Sequence, residues 1–236
     1  MFNKLENFSF FLILLIPFAL VTGPAIPDLI ITFVSVIFII YIIKKKNYNI
    51  ITETWVLFSF IFFISLQISS FFSENYSIAF KESLIFLRII LIPLFLYFWI
   101  LTNKKRVNYL LNIILVLNLL ICIDCIYQFI NYNPEFGFGK DILGFSSDFY
   151  GRLSGPFSDL VPGSFIAKFS MLGLCSILIN FKERYNLLFI FSIFYLTLCG
   201  IITFISGERM AFATFFLGIG LGIIFFSNYR RIFLLS

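Results

Sequence analysis

The residues best suited to polar chemistry lie in two short segments of an otherwise apolar chain. The first is Gly151–Asp159, with sequence GRLSGPFSD, and the second is residues 206–209, with sequence SGER. An arginine guanidinium can hold two phosphate oxygens through parallel hydrogen bonds, which makes Arg152 and Arg209 candidates for binding a phosphate-bearing group. Glycine and proline in the first segment should fold it into a tight turn that presents Arg152 and Ser154. Attachment to lipid headgroups is the alternative role for both arginines.

Cations inside the apolar segments form a second group of candidates, because a charge in hydrocarbon normally has a partner or a function. Lys81 and Arg88 are seven residues apart, or two turns along one helical face, and could form a cationic track for substrate. The alternative is that Lys81 extends to the interface and Arg88 bonds a carbonyl. Lys168 is expected at the same membrane depth as Asp124, which favours an ion pair, with a role in orienting the site as the alternative.

The composition of the chain indicates the class of protein and the secondary structure to which these residues belong. The chain has 236 residues, of which 61% are hydrophobic and only 12% charged, so it has too little polar surface for a soluble domain. Its apolar runs are continuous over about 15 to 25 residues, the length of an α-helix that crosses a bilayer, and do not alternate as barrel strands do. We therefore predict an all-α polytopic membrane protein, with residues 1–236 forming a single domain. The net charge of +5 comes from short basic clusters between the runs, which indicates membrane orientation and no nucleic-acid partner.

The apolar runs predict about eight transmembrane helices with a cytoplasmic N-terminus. This orientation puts every basic cluster between the spans on the inner side. The 131–162 loop and the 206–209 turn then share the outer face, where no nucleotide is supplied. The predicted spans are residues 8–21, 29–43, 51–72, 78–101, 107–130, 163–179, 185–205 and 210–226.

Several residue patterns restrict the chemistry further. The chain contains no histidine, which excludes a histidine base or a histidine-ligated metal within it. Its four cysteines fall inside predicted helices, and the C-x-x-C spacing of Cys122 and Cys125 is interpreted as structural. Gly218 and Gly222 lie in a helix with no preceding strand and are interpreted as a helix-packing face. No Gly-rich phosphate loop is present, and no cofactor is expected.

The two polar segments together resemble the O-antigen ligase and O-antigen polymerase superfamily. The resemblance rests on residues 152–157, with sequence RLSGPF, and residues 206–211, with sequence SGERMA, at an outer helix end. Members are polytopic enzymes of the bacterial inner membrane that take a glycan from undecaprenyl diphosphate at the periplasmic face. The resemblance implies that Arg152 and Arg209 hold the diphosphate leaving group, and that lipid A core or a growing polysaccharide is the acceptor. No metal or nucleotide is implied.

Two departures from the family pattern affect this interpretation. Glu208 stands where a hydroxyl residue usually precedes the second arginine, so we expect it to pair with Arg209 and weaken its hold on phosphate. Family members usually continue with further helices and a periplasmic loop that bears a histidine base, whereas here an apolar run restarts at residues 232–235 and stops. We therefore expect an N-terminal portion of a longer protein. The alternative functions are a non-catalytic transporter or lipid-binding module for an anionic solute, and a non-catalytic fragment.

Overall fold

The computed structural model describes residues 2–45, 53–134, 137–147, 152–157, 162–225 and 229–235. These ranges contain helices and connecting segments and no β-strand; one isolated backbone bridge joins Asn133 and Gly137. The prediction of an all-helical chain is thus confirmed for them. The helices are α1 Phe2–Val21, α2 Ala25–Lys45, α3 Thr54–Phe71, α4 Tyr76–Ile85, α5 Leu87–Leu96 followed by a π-helical turn Tyr97–Leu101, α6 Lys104–Ile130, α7 Pro162–Asn180, α8 Tyr185–Ile205, α9 Arg209–Phe225 and α10 Arg230–Leu235.

Six helical segments in the described ranges are long and apolar enough to cross a membrane, which indicates a multi-pass membrane protein. They are α2, α3, the continuous stretch Tyr76–Leu101, α6, α7 and α8. Two further apolar stretches are shorter, namely Leu5–Val21 within α1 and Arg209–Phe225, which is α9. Helical segments correspond to all eight predicted spans, the fourth through α4, α5 and the π-helical turn together, and the two shorter segments lie at the lower end of the length that crosses a bilayer.

The turn between α1 and α2 is shorter than the sequence suggested. We expected Pro24 and Pro27 to keep residues 22–28 out of a helix, yet α2 begins at Ala25. Pro27 lies in the first turn of α2, where a missing N–H removes no helical hydrogen bond. Gly23 ends α1 with φ +109°, a conformation that favours glycine.

The chain divides into two compact units. The first comprises residues 1–16 and 25–107. Its core contains Phe38 and Trp99, whose rings meet edge to face with centroids 5.0 Å apart. Two ion pairs join helices of this unit: Arg88 with Asp28 at 2.6 Å, and Arg106 with Glu6 at 2.5 Å.

The second unit comprises residues 17–24 and 108–236, and its core lies among α6, α7, α8 and α9. Cys122, Cys125 and Cys199 are buried free thiols in this core and pack as small apolar residues. In α9, a side chain at Gly218 would meet Met171 of α7, and one at Gly222 would collide with Phe233 of α10. The absence of side chains lets these helices approach closely, which is the packing role predicted for the two glycines.

Candidate anion-binding site

The segment 152–157 is fixed to α6 by one side chain, the carboxamide of Gln128. Gln128 Oε1 accepts hydrogen bonds from the backbone N–H of Ser154 at 3.0 Å and of Gly155 at 2.9 Å. Gln128 Nε2 donates to Ser154 Oγ at 2.9 Å. Both side chains are buried, so these bonds satisfy polar groups that have no access to water.

Apolar anchors hold the same segment on both sides of this contact. Leu153 and Phe157 are buried in the core of the second unit. Gly155 lies between them with φ +53°, in the left-handed region that favours glycine. A Cβ atom at Gly155 would stand only 2.9 Å from Cys125 Sγ, so the backbone is pressed directly onto α6.

Arg152 extends from this anchored segment and is exposed. Its side-chain stem reaches the 206–209 turn, because a Cβ atom built on Gly207 would lie 3.9 Å from Arg152 Cγ. Gly207 has φ +74°, so the turn depends on glycine at this position. The structure therefore brings together the two polar segments that the sequence singled out.

The 206–209 turn is held against the beginning of α7. Ser206 is buried and its hydroxyl donates to the Thr203 carbonyl at 2.8 Å. Gly163 of α7 approaches so closely that a side chain there would collide with Ser206 Oγ. Ser164 Oγ donates a hydrogen bond to Glu208 Oε2. The turn thus has a fixed position relative to α7.

Three exposed cations belong to the elements that meet here. Arg152 and Arg209 flank the turn, and Lys168 follows Ser164 by four residues, which places it one turn along the same face of α7. Within the described ranges, the ion pairs are those of Arg88 and Arg106 in the first unit, and none involves these three residues. This makes them candidates for holding an anionic ligand.

Two predicted pairings are not formed, for local reasons. We expected Glu208 to pair with Arg209, but its carboxylate accepts from Ser164 instead. We also favoured an Asp124–Lys168 ion pair; Asp124 is buried and accepts the Ile142 N–H at 2.8 Å, whereas Lys168 is exposed.

The other residues predicted for the site lie in different parts of the structure. Ser154 was expected to be presented to substrate, but it is buried and bonded to Gln128. Lys81 and Arg88 both belong to the first unit, where Lys81 is exposed on α4 and Arg88 pairs with Asp28. Phe86 stands between α4 and α5 in a right-handed helical conformation, and the cationic track of Lys81 and Arg88 stays a prediction. Gly151, Ser158 and Asp159 of the first polar segment lie outside the described residues.

An apolar cavity adjoins the anchored segment. Its volume is about 450 Å³, and Asp124 and Pro156 line it together with hydrocarbon side chains. The apolar lining includes Phe18, Leu117, Ile121, Ile142 and Leu143. A ligand with a charged head and a hydrocarbon tail matches a site in which cations and an apolar cavity meet the same loop.

Sequence reasoning did not single out Gln128, whose side chain bonds the 152–157 segment. The only signal was that Asp124 and Gln128 are one turn apart on α6 and share a face. Among the described residues, no group of three metal-ligating side chains occurs. Comparison of the chain with protein-family models, curated proteins and solved structures gives no match. The resemblance to the ligase and polymerase superfamily stays a prediction.

Proposed function

We propose that this chain binds a polyprenyl-diphosphate-linked glycan and serves as the donor-binding part of a glycosyltransferase of the O-antigen ligase or polymerase type. The proposal includes eight spans with a cytoplasmic N-terminus, in the inner membrane of a bacterium, with the site at the periplasmic face. The acceptor is lipid A core or a growing polysaccharide. Undecaprenyl diphosphate is the proposed carrier of the glycan.

The observation that carries the proposal is that one loop bears an exposed arginine and also lines an apolar cavity. Arg152 lies against the turn that precedes Arg209, and neither forms an ion pair within the described ranges. Pro156, four residues after Arg152, lines the cavity. A diphosphate headgroup suits the arginines, and the isoprene units next to the diphosphate suit the apolar cavity.

The chemistry follows from these charges. In glycan transfer, an acceptor hydroxyl attacks the anomeric carbon while the bond from that carbon to the diphosphate oxygen breaks. Negative charge grows on the departing diphosphate, and guanidinium groups held in place stabilise it more in the transition state than in the bound donor. The base that takes the proton of the acceptor hydroxyl is not a histidine of this chain, because the sequence contains no histidine.

Binding to the full chain in lipid nanodiscs tests the proposal. We expect wild-type protein to bind undecaprenyl diphosphate more tightly than undecaprenol, which lacks the phosphates. Arg152→Gln or Arg209→Gln should weaken diphosphate binding by roughly 10- to 100-fold, because each removes charge-assisted hydrogen bonds. Arg184→Gln is the matched control, since Arg184 is an exposed cation at the other end of α8.

Each outcome separates the candidate functions. Equal binding of undecaprenyl diphosphate and undecaprenol by wild-type protein would rule out the proposed donor site. Diphosphate binding that depends on both arginines, without glycan transfer to any acceptor in cells, would favour the non-catalytic lipid-binding module. Loss of surface glycan in cells that carry Arg152→Gln, with membrane levels of the protein unchanged, would support the transferase.

A further inference from the structure

Gln128 is an unusual residue for its position. It lies on α6, a helix long and apolar enough to span a membrane, and its side chain is 0% exposed. A buried carboxamide without partners costs free energy in such an environment. Among the described residues, its side chain makes three hydrogen bonds, all to Ser154 and Gly155 and none to another helix.

These bonds are the polar attachment of the arginine-bearing segment. Within the described part of the chain, Gln128 makes every hydrogen bond that joins residues 152–157 to another element. The remaining bond of the segment is internal, from Phe157 N–H to the Ser154 carbonyl at 3.2 Å. The backbone N–H groups of Ser154 and Gly155 point at α6 and are not available to a ligand.

Arg152 is two residues from this attachment, with buried Leu153 between them. Its stem lies beside Gly207, so the place of its guanidinium depends on the path of the backbone at 153–155. Because an exposed arginine has many rotamers, fixing its backbone reduces the ordering cost of ligand binding.

We propose that Gln128 is a positioning residue that holds Arg152 in place for the anionic head of the ligand. The diphosphate identity of that head rests on the proposed function above. Gln128 touches no ligand itself, and its effect passes through the backbone of Ser154 and Gly155. A carboxylate at position 128 would keep all three bonds, because the Ser154 hydroxyl can rotate to donate.

The experiment compares Gln128→Met, Gln128→Glu and Asn118→Leu in the full chain in nanodiscs. Asn118 is the matched control: it is also a fully buried amide on α6, and it donates to Tyr195 OH at 2.9 Å without touching the loop. Three readouts are taken, namely Tm, hydrogen exchange of the Ser154 and Gly155 amides, and affinity for undecaprenyl diphosphate. Ser154→Ala, which removes only the bond to Oγ, is a milder second variant.

Gln128→Met should speed exchange of both amides about 10-fold and weaken diphosphate binding about 10-fold. Asn118→Leu should lower Tm without either change, and Gln128→Glu should keep the amides protected. Ser154→Ala should weaken binding less than Gln128→Met does. If the Gln128→Met protein does not fold, Ser154→Ala is measured in its place.

Two results would overturn the positioning role. One is unchanged amide exchange and affinity in Gln128→Met, or in Ser154→Ala if that variant alone folds. The other is an equal loss of affinity in Asn118→Leu and Gln128→Met at equal loss of Tm, which would show a general stability effect. Failure of the proposed function is distinguishable, because wild-type protein would then not prefer undecaprenyl diphosphate to undecaprenol. The hydrogen exchange would still decide whether Gln128 holds the loop.

Discussion

At the scale of single residues, we expect alanine to have opposite effects on Tm at two glycines of the second unit. A Cβ atom at Gly163 would collide with the buried Ser206 hydroxyl, whereas one at Gly220 in α9 would meet nothing within 4 Å. Gly163→Ala should therefore lower Tm, since α7 must shift away from the 206–209 turn. Gly220→Ala should hold or raise Tm, because glycine inside a helix costs about 0.5–1 kcal/mol relative to alanine.

Thermal unfolding of the two purified variants in the same detergent checks this pair. Gly163→Ala should also weaken binding of undecaprenyl diphosphate, because the turn that it displaces contacts Arg152 and leads into Arg209. The close approach would be refuted by a Gly163→Ala protein as stable as the Gly220→Ala protein.

Residue type allowed Arg152 and Arg209 to be chosen from the sequence, but their surroundings were not predictable. Arginine residues and the glycines that flank them can be identified directly from the sequence. The bonds from Gln128 to Ser154 and Gly155 span 26 and 27 residues, and the pair of Arg88 with Asp28 spans 60. Such contacts depend on loop paths and helix packing that hydrophobic periodicity does not specify.

At the scale of elements, hydropathy predicted most helix positions because continuous apolar runs of bilayer length admit few alternatives. The seventh predicted span, residues 185–205, coincides with α8. The fourth does not: residues 78–101 were expected as one helix, but Phe86 separates α4 from α5. Phe86 is neither glycine nor proline, so the sequence carried no breaker signal at this point.

Arg88 lies in the first turn of α5, where it pairs with Asp28 in the first turn of α2. We expect Arg88→Gln and Asp28→Asn each to lower Tm, since each leaves one charge without its partner. The double variant should be destabilised by less than the sum of the two single variants. Thermal unfolding in nanodiscs measures this coupling.

Lys81→Gln is the control for this cycle, because Lys81 is an exposed cation on α4 outside the ion pairs of the described ranges. It should leave Tm within experimental error. Strict additivity of the Arg88 and Asp28 effects would mean that the pair contributes nothing to the first unit, as many exposed pairs do.

At the scale of the whole molecule, the proposed eight spans differ from a six-span arrangement only at the two ends of the chain. If the six full-length segments all cross, residues 105 and 182 lie on one side of the membrane and residues 74 and 140 on the other. The shorter apolar helices Leu5–Val21 and Arg209–Phe225 decide where the N-terminus and Arg231 lie.

Contacts inside the first unit favour a spanning α1. Arg106 donates to Glu6 Oε1 at 2.5 Å and to Asn7 Oδ1 at 2.9 Å. Arg106 follows the third of the full-length segments and so lies on the opposite side of the membrane from the turn at residues 22–24. Glu6 can share the side of Arg106 only if α1 crosses the membrane.

Cysteine labelling in intact cells tests this topology. In a variant with the four native cysteines replaced, single cysteines at Lys4, Lys105, Lys182 and Arg231 should resist a membrane-impermeant maleimide until the cells are opened. Cysteines at Glu74 and Lys140 should react at once, because they would face outward. Immediate labelling at Lys4 or Arg231, with Lys105 and Lys182 protected, would show that the shorter helix beside the labelled end does not cross. Protection of Lys140 would move residues 131–162 to the cytoplasmic side, and with them the proposed periplasmic chemistry of Arg152.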